Sequence, residues 1–282
     1  MSVIQPGRLG GVGRTTAAAL LAVAALISMS GAALAAQPAA QPTRNDASTP
    51  APARLLWMRD FSAPDTYVGQ FTYYQCVAAS IQMMRNMITG EADHSAATQR
   101  SIWIGSRALS KYTGDGGADP YGWSRYLTAS GSAYQIYAGS SMDATLHAAA
   151  RAMAQSGRPG GITVYWGSHA WVLTGIQATT NPALTDDFTV LSVSVIDPLW
   201  TLDRGGKGSV APLTWLTPAQ LKSKFTPYHD PRRAALLEGH YVAIIPIPTA
   251  AELANPANTR QVFTFSVVGG SLSGANRQAP KP

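Results

Sequence analysis

From residue 77 the apolar positions fall in two adjacent helical stripes, Val77/Ile81/Met84/Ile88 and Cys76/Ser80/Met83/Met87. Gln82, Arg85, Asn86 and Thr89 are left as the polar face of a mostly buried helix. Thr72 and Gln75 have capping-box spacing, and Phe71 and Cys76 stand like a hydrophobic staple, so this helix is predicted to begin between Tyr73 and Cys76. A second helical pattern covers 95–110, and a Gly/Pro-rich loop covers 114–120. A short helix over 121–128 closes at Ser130-Gly131, and Ser140 and Ser141 can cap a helix over 142–155 that ends at Gly157. After Gly160-Gly161 the period changes. Residues 162–166, 169–176 and 188–196 are rich in β-branched and aromatic side chains and read as strands. Thr217-Pro218 opens a short helix to 225, 241–247 is a further strand, and 261–268 alternates well enough for one more. Helices first and strands afterwards predict an α+β fold, its N-terminal half mostly helical and its sheet C-terminal.

The ends of the chain have a different character. Residues 1–35 carry Arg8 and Arg14, then an Ala/Leu-rich run, then Ala33-Leu34-Ala35, the order of a secretory signal peptide cleaved after Ala35. A retained anchor is the competing reading, because residues 15–34 are nearly long enough to span a bilayer. Residues 36–54 read as a flexible Ala/Pro-rich linker, 55–268 as the folded domain, 250–258 as a connection of low order, and 269–282 as a disordered tail. Removing the signal segment leaves 19 basic and 15 acidic residues, a mild excess suited to weak association with an anionic cell envelope. No basic cluster interleaved with aromatics supports nucleic-acid binding. The composition excludes disorder of the whole chain and provides apolar material for a substantial core.

Cys76 is the single cysteine, so no intrachain disulfide is possible in an oxidising compartment. In the first turn of a helix a thiol lies near unpaired backbone N–H groups and the positive end of the dipole, and the thiolate it forms there more easily is a nucleophile. The alternative is a buried thiol used as a small hydrophobe. A nucleophilic cysteine needs a base, and of the five histidines His169 differs from His94, His147, His229 and His240 in opening an almost wholly apolar strand just after Gly167-Ser168. It is either that base or a core histidine satisfied by backbone. Asp197 ends the strand 188–196 before Pro198 and can orient the ring if that strand pairs with the one His169 opens; otherwise Asp-Pro marks a turn, and Asn181 or Asp203 stands as the substitute orienter. The side-chain amide of Gln70, six positions before the cysteine, can join the Cys76 backbone N–H as an oxyanion donor, or it is an exposed loop amide. Neither paired His/Cys spacing nor an H-E-x-x-H helix occurs, so no metal or other cofactor is expected.

Gln70-x5-Cys76 opening a helix, the Gly-Gly-Ala-Asp-Pro loop with its helix, His169-Ala170 opening a strand, and Asp197-Pro198 together resemble the papain-like cysteine peptidases. Within that clan the chain is most similar, over 65–248, to the bacteriocin-processing, double-glycine peptidases and their free-standing secreted relatives. The resemblance implies a papain-like fold, with a helical half carrying the Cys76 helix packed on an antiparallel sheet carrying His169 and Asp197. It also implies that Cys76 is the nucleophile, His169 the general base and acid, Asp197 the orienter and Gln70 the oxyanion donor, acting on a peptide or protein substrate. Val77 departs from the glycine usual after the cysteine, and an attached transporter domain is not expected. A papain-like acyltransferase or cell-wall amide hydrolase would use the same residues. A binding module on the same fold, with its tryptophans as the binding surface, would not need the thiol.

Overall fold

The computed structural model describes residues 55–63, 65–112, 116–206, 208–230, 236–259 and 263–264. The predicted signal segment, linker and tail lie outside the described residues, as does most of the strand predicted over 261–268. Eight strands form one sheet: β1 (Leu55–Asp60), β2 (Tyr134–Gly139), β3 (Gly160–Val164), β4 (His169–Ala178), β5 (Val190–Ile196), β6 (Thr214–Leu216), β7 (Tyr241–Pro246) and β8 (Phe263–Thr264). Their order is β2-β7-β3-β4-β1-β8, with β5 on β4 and β6 on β5, and every pairing is antiparallel. The helices are α1 (Cys76–Thr89), α2 (Ala96–Leu109), α3 (Pro120–Ala129), α4 (Met142–Ser156) and four short ones, α5 (Trp200–Asp203), α6 (Pro218–Leu221), α7 (Ala250–Ala254) and α8 (Pro256–Thr259). The molecule is α+β, as the order of patterns in the sequence predicts.

Strand β4 is the axis of the sheet, and all ten of its residues are buried. Such burial explains why it reads as a continuous apolar run rather than an alternating one. Its first half pairs with β3 and its second half with β1, while β5 runs along it from Val172 to Ala178. The two faces are covered by different helices. Ala170, Val172, Ile196 and Ile244 pack with Cys76, Val77, Ile81 and Met84 of α1, Ile102 of α2, and Trp123 and Leu127 of α3. Ile162, Val164, Trp171, Leu173 and Ile176 pack on the other face with Leu146, Ala149 and Met153 of α4. Gly161 lets α3 approach closely, because a Cβ there would lie 2.3 Å from the Trp123 ring. Val77, placed where a glycine was expected, is absorbed into the α1 face of the core.

Several expectations are corrected. The sheet is not confined to the C-terminal half: β1 and β2 come from before residue 140 and pair with β4 and β7, about 120 and 110 residues later. Residues 250–258 contain α7 and α8 rather than a connection of low order, and α7 starts on a capping box between Thr249 and Glu252. The expected capping box at Thr72/Gln75 does not form; Gln75 donates its backbone N–H to Thr72 O and caps nothing with its side chain. Phe71 is half-exposed, so the staple is absent as well. Gln82 and Asn86, assigned to the polar face of α1, are buried, and their amides donate to Asp93 O, with Gln82 also donating to Ser95 O. The helix predicted over 217–225 ends at Leu221.

Candidate active site

Cys76 is the first residue of α1 and is nearly buried by the packing of that helix against β4. The residue before it, Gln75, sits at φ −101° and ψ 17°. The caps of α2, α3 and α4, Ser95, Asp119 and Ser141, are instead extended, and each accepts a backbone N–H from the first turn. The helix that carries the thiol thus begins without a side-chain cap, so its end keeps its positive partial charge unshared with a capping oxygen.

His169 opens β4 after a turn with an unusual backbone. Tyr165, Trp166 and Gly167 all have positive φ, at 52°, 61° and 84°. Left-handed conformations cost of order 1–3 kcal/mol for a non-glycine residue and persist only where surroundings hold them. Here Tyr165 N donates to Lys224 O at 2.8 Å, Trp166 N donates to Thr226 Oγ1 at 2.7 Å, and Trp166 O accepts from His229 N at 3.0 Å. Gly167 is required by space as well as by φ, because a Cβ would lie 2.3 Å from the Tyr228 ring. The turn therefore fixes where β4 begins and with it the position of the imidazole.

Asp197 follows the last residue of β5, and the antiparallel register of Ile196 with Val172 brings it to the end of the sheet where β4 starts. His169 Nε2 lies 2.7 Å from Asp197 Oδ1. The carboxylate is fully buried and also accepts Leu199 N at 2.9 Å on Oδ1 and Val210 N at 3.1 Å on Oδ2, so both oxygens are used and the group cannot swing away. The Cys76 thiol is near enough to the same ring to favour its protonated form. Cys76, His169 and Asp197 thus lie together, the imidazole bonded to the carboxylate and close to the thiol. Burial disfavours the charged ring, but the hydrogen bonds and charges of Asp197 and Cys76 outweigh it and raise the His169 pKa to about 9. Both partners thus favour the protonated form of the ring.

Gln70 does not join this series. It is buried rather than exposed, its Nε2 donates to Thr72 O at 2.8 Å, and its Oε1 has no partner among the described residues. Its backbone is tied to the segment after Asp197: Gln70 N donates to Pro198 O at 2.8 Å, the Tyr67 and Thr201 hydroxyls bond to each other, and a Cβ on Gly69 would lie 1.9 Å from Thr201 Oγ1. Sequence reasoning missed a second buried amide here. Gln99 of α2 accepts from Phe71 N at 3.0 Å and donates to Gly69 O at 3.1 Å and to Gln82 Oε1 at 3.2 Å. Its signal in the sequence is its place in one stripe with Ile102 and Ser106, where all three are buried.

The other candidates lie apart. His147 stacks on Phe188, His229 pairs with Glu238 at 2.5 Å, His240 Nδ1 donates to Glu238 O, and His94 is exposed. Asn181 donates to Asn258 O, and Asp203 bonds Ser209. An open cavity of about 440 Å³ beside the histidine turn is lined by Trp166, Tyr228, His229 and Glu238 but not by Cys76, His169 or Asp197. Among the described residues no group of three or more His, Cys, Asp or Glu side chains could hold a metal, and no helix is long and apolar enough to cross a membrane. Compared with known proteins, the chain matches no family model, no curated protein and no solved structure.

Proposed function

We propose that the chain is a secreted papain-like cysteine hydrolase that cleaves a peptide or amide bond through a thiol acyl-enzyme. The observation that carries this reading is the buried imidazole of His169, bonded through Nε2 to the buried Asp197 and near enough to the only thiol in the chain for that thiol to favour its protonation. In this mechanism the Cys76 thiolate attacks the scissile carbonyl and forms a C–S bond. The carbonyl oxygen becomes an oxyanion that the Cys76 backbone N–H and the Gln70 side-chain amide stabilise. Gln70 Nε2 carries two hydrogens and Thr72 takes one, which leaves one for the substrate. As the C–N bond breaks, the His169 imidazolium gives its proton to the leaving amine. The neutral imidazole then draws a proton from water, which attacks the acyl carbonyl and releases the acid and the thiol. Asp197 holds the ring in the tautomer and orientation both steps need.

A mild positive charge on the mature chain accords with a substrate at or near an anionic envelope. The test is hydrolysis of a panel of peptidyl coumarylamides by the purified chain and by Cys76→Ser. Cleavage by the wild type and none by the folded variant is the expected result; undiminished cleavage by Cys76→Ser removes Cys76 from the mechanism.

A further inference from the structure

We propose that Gln99 is a positioning residue for the oxyanion donor, holding the backbone of Gln70 in fixed relation to the helix that carries the thiol. The proposal rests on the reading of Gln70 as that donor. The side chain of Gln70 makes one hydrogen bond, to a carbonyl two residues along its own loop, so its aim depends on where its backbone is held. Gln99 brackets that backbone. Its Oε1 accepts from the N–H just after Gln70 at 3.0 Å, and its Nε2 donates to the carbonyl just before Gln70 at 3.1 Å. The second hydrogen of the same Nε2 goes to Gln82 Oε1 at 3.2 Å. Gln82 belongs to the second turn of α1, the helix that Cys76 opens, and its own amide is anchored on Asp93 O and Ser95 O. Gln99 and Gln82 are both buried, so these amide groups have no water to turn to, and their mutual bonds are the arrangement in which each is satisfied. On the opposite side, Gln70 N is bonded to Pro198 O, next to Asp197. The loop is therefore clamped between the segment that follows the orienting carboxylate and, through Gln99, the helix of the nucleophile.

Among side chains of this length only glutamine makes this bracket. It takes one acceptor and two donors in a plane: a glutamate lacks the donors when ionised, and a methionine of similar size lacks all three. Loss of the bracket lets the Gln70 amide drift from the oxyanion while leaving His169 bonded to Asp197 beside Cys76. The expected signature is a loss in turnover without a loss in thiol reactivity.

The experiment is a double-mutant cycle between Gln99→Met and Gln70→Ala on the peptidyl coumarylamide the wild type cleaves fastest. Iodoacetamide alkylation of Cys76 and thermal unfolding are followed on the same proteins. Gln99→Met is expected to lower kcat by on the order of tenfold to a hundredfold with KM changed less than about twofold, and to leave the alkylation rate at the wild-type value. In the Gln70→Ala background the same substitution is expected to lower kcat no further, because the group it positions is gone. A Gln99→Met loss that adds in full to that of Gln70→Ala, or that appears equally in alkylation, overturns the positioning role and leaves the triad reading standing. Wild-type turnover in Gln70→Ala, or no hydrolysis by the wild type, overturns the underlying reading and the proposal with it. If Gln99→Met does not fold, Gln82→Met takes its place: it removes the link from Gln99 to α1 along with the bonds of Gln82 to Asp93 O and Ser95 O but leaves the bracket on residues 69–71, and a smaller kcat loss that vanishes in the Gln70→Ala background is expected.

Discussion

The N-termini of α1 and α3 carry opposite designs within one layer of the fold. At α3, Asp119 is nearly buried and fully engaged: Oδ1 accepts Gly122 N at 2.7 Å, and Oδ2 accepts Lys111 N at 2.9 Å and Tyr112 N at 2.8 Å. At α1 no side chain caps the helix, and Gln70 Oε1, Thr72 Oγ1 and Gln75 Oε1 are buried without partners among the described residues. The first end has been closed to hold the chain together. The second keeps its donors uncapped beside the thiol, at a cost in local stability that the packing of α1 on β4 must offset. Two buried aspartates mark the same division, since Asp119 satisfies backbone alone whereas Asp197 spends one of its three hydrogen bonds on an imidazole.

The largest effect that sharpens this comparison comes from exchanging the aspartates. Asp197→Asn is expected to lower hydrolysis by a factor on the order of 10³ to 10⁴, because the ring loses its orienter, while His169→Ala is inactive. Asp119→Ala is expected to keep the alkylation rate of Cys76 and to lower unfolding stability by about 2 kcal/mol, since three backbone donors lose their acceptor. Urea unfolding and turnover measured on both proteins check the pair, and a parallel loss of activity and stability in each would erase the distinction.

An intermediate effect is expected from pH. The folded pKa of His169 is raised from 6.5 to about 9, so its contribution to stability is fully present below about pH 6.5 and is lost as pH rises through about 9. Urea midpoints should fall over that window in the wild type and fall less in Asp197→Asn. Turnover should decline on the same alkaline limb as the imidazolium that protonates the leaving amine disappears. A midpoint that rises between pH 6.5 and 9 contradicts the assignment.

The smallest effect concerns the caps themselves. Ser141→Ala removes the bond to Ala144 N and should cost about 1 kcal/mol. Gln75→Ser, which supplies a cap residue to α1, should change stability by less than about 0.5 kcal/mol, because a backbone at ψ 17° does not aim the hydroxyl at the first turn as the extended backbones of Ser95 and Ser141 do. Stabilisation by a full kilocalorie would mean that α1 lacks a cap for want of the right residue alone.

These contrasts also explain how far the sequence could be read. Strands β4, β5 and β7 and helices α2 and α4 were visible because their signals are local: apolar runs, a helical stripe, the serine cap of α4 and its closing Gly157. Strands β1 and β2 were not, because each is a six-residue segment whose partner lies more than 100 residues away, and nothing within the segment announces the pairing. Helix α7 did carry its capping box, Thr249 and Glu252, in a stretch whose Ala and Pro content read as linker. At the site, the end-to-end placement of His169 and Asp197 followed from antiparallel pairing of their strands, but the burial of Gln70, Gln82 and Gln99 could not follow from residue type. An amide is buried when backbone partners reach it, and those partners come from the loops at 69–71 and 93–95.

The reactivity of the thiol is the point on which the account turns. Iodoacetamide alkylation at pH 7 can be timed on the folded wild type, on His169→Ala and on free cysteine. The wild type is expected to react much faster than free cysteine, and His169→Ala to fall well below the wild type. A wild-type rate at or below that of free cysteine, unchanged by loss of His169, would make Cys76 a small buried hydrophobe and contradict the site.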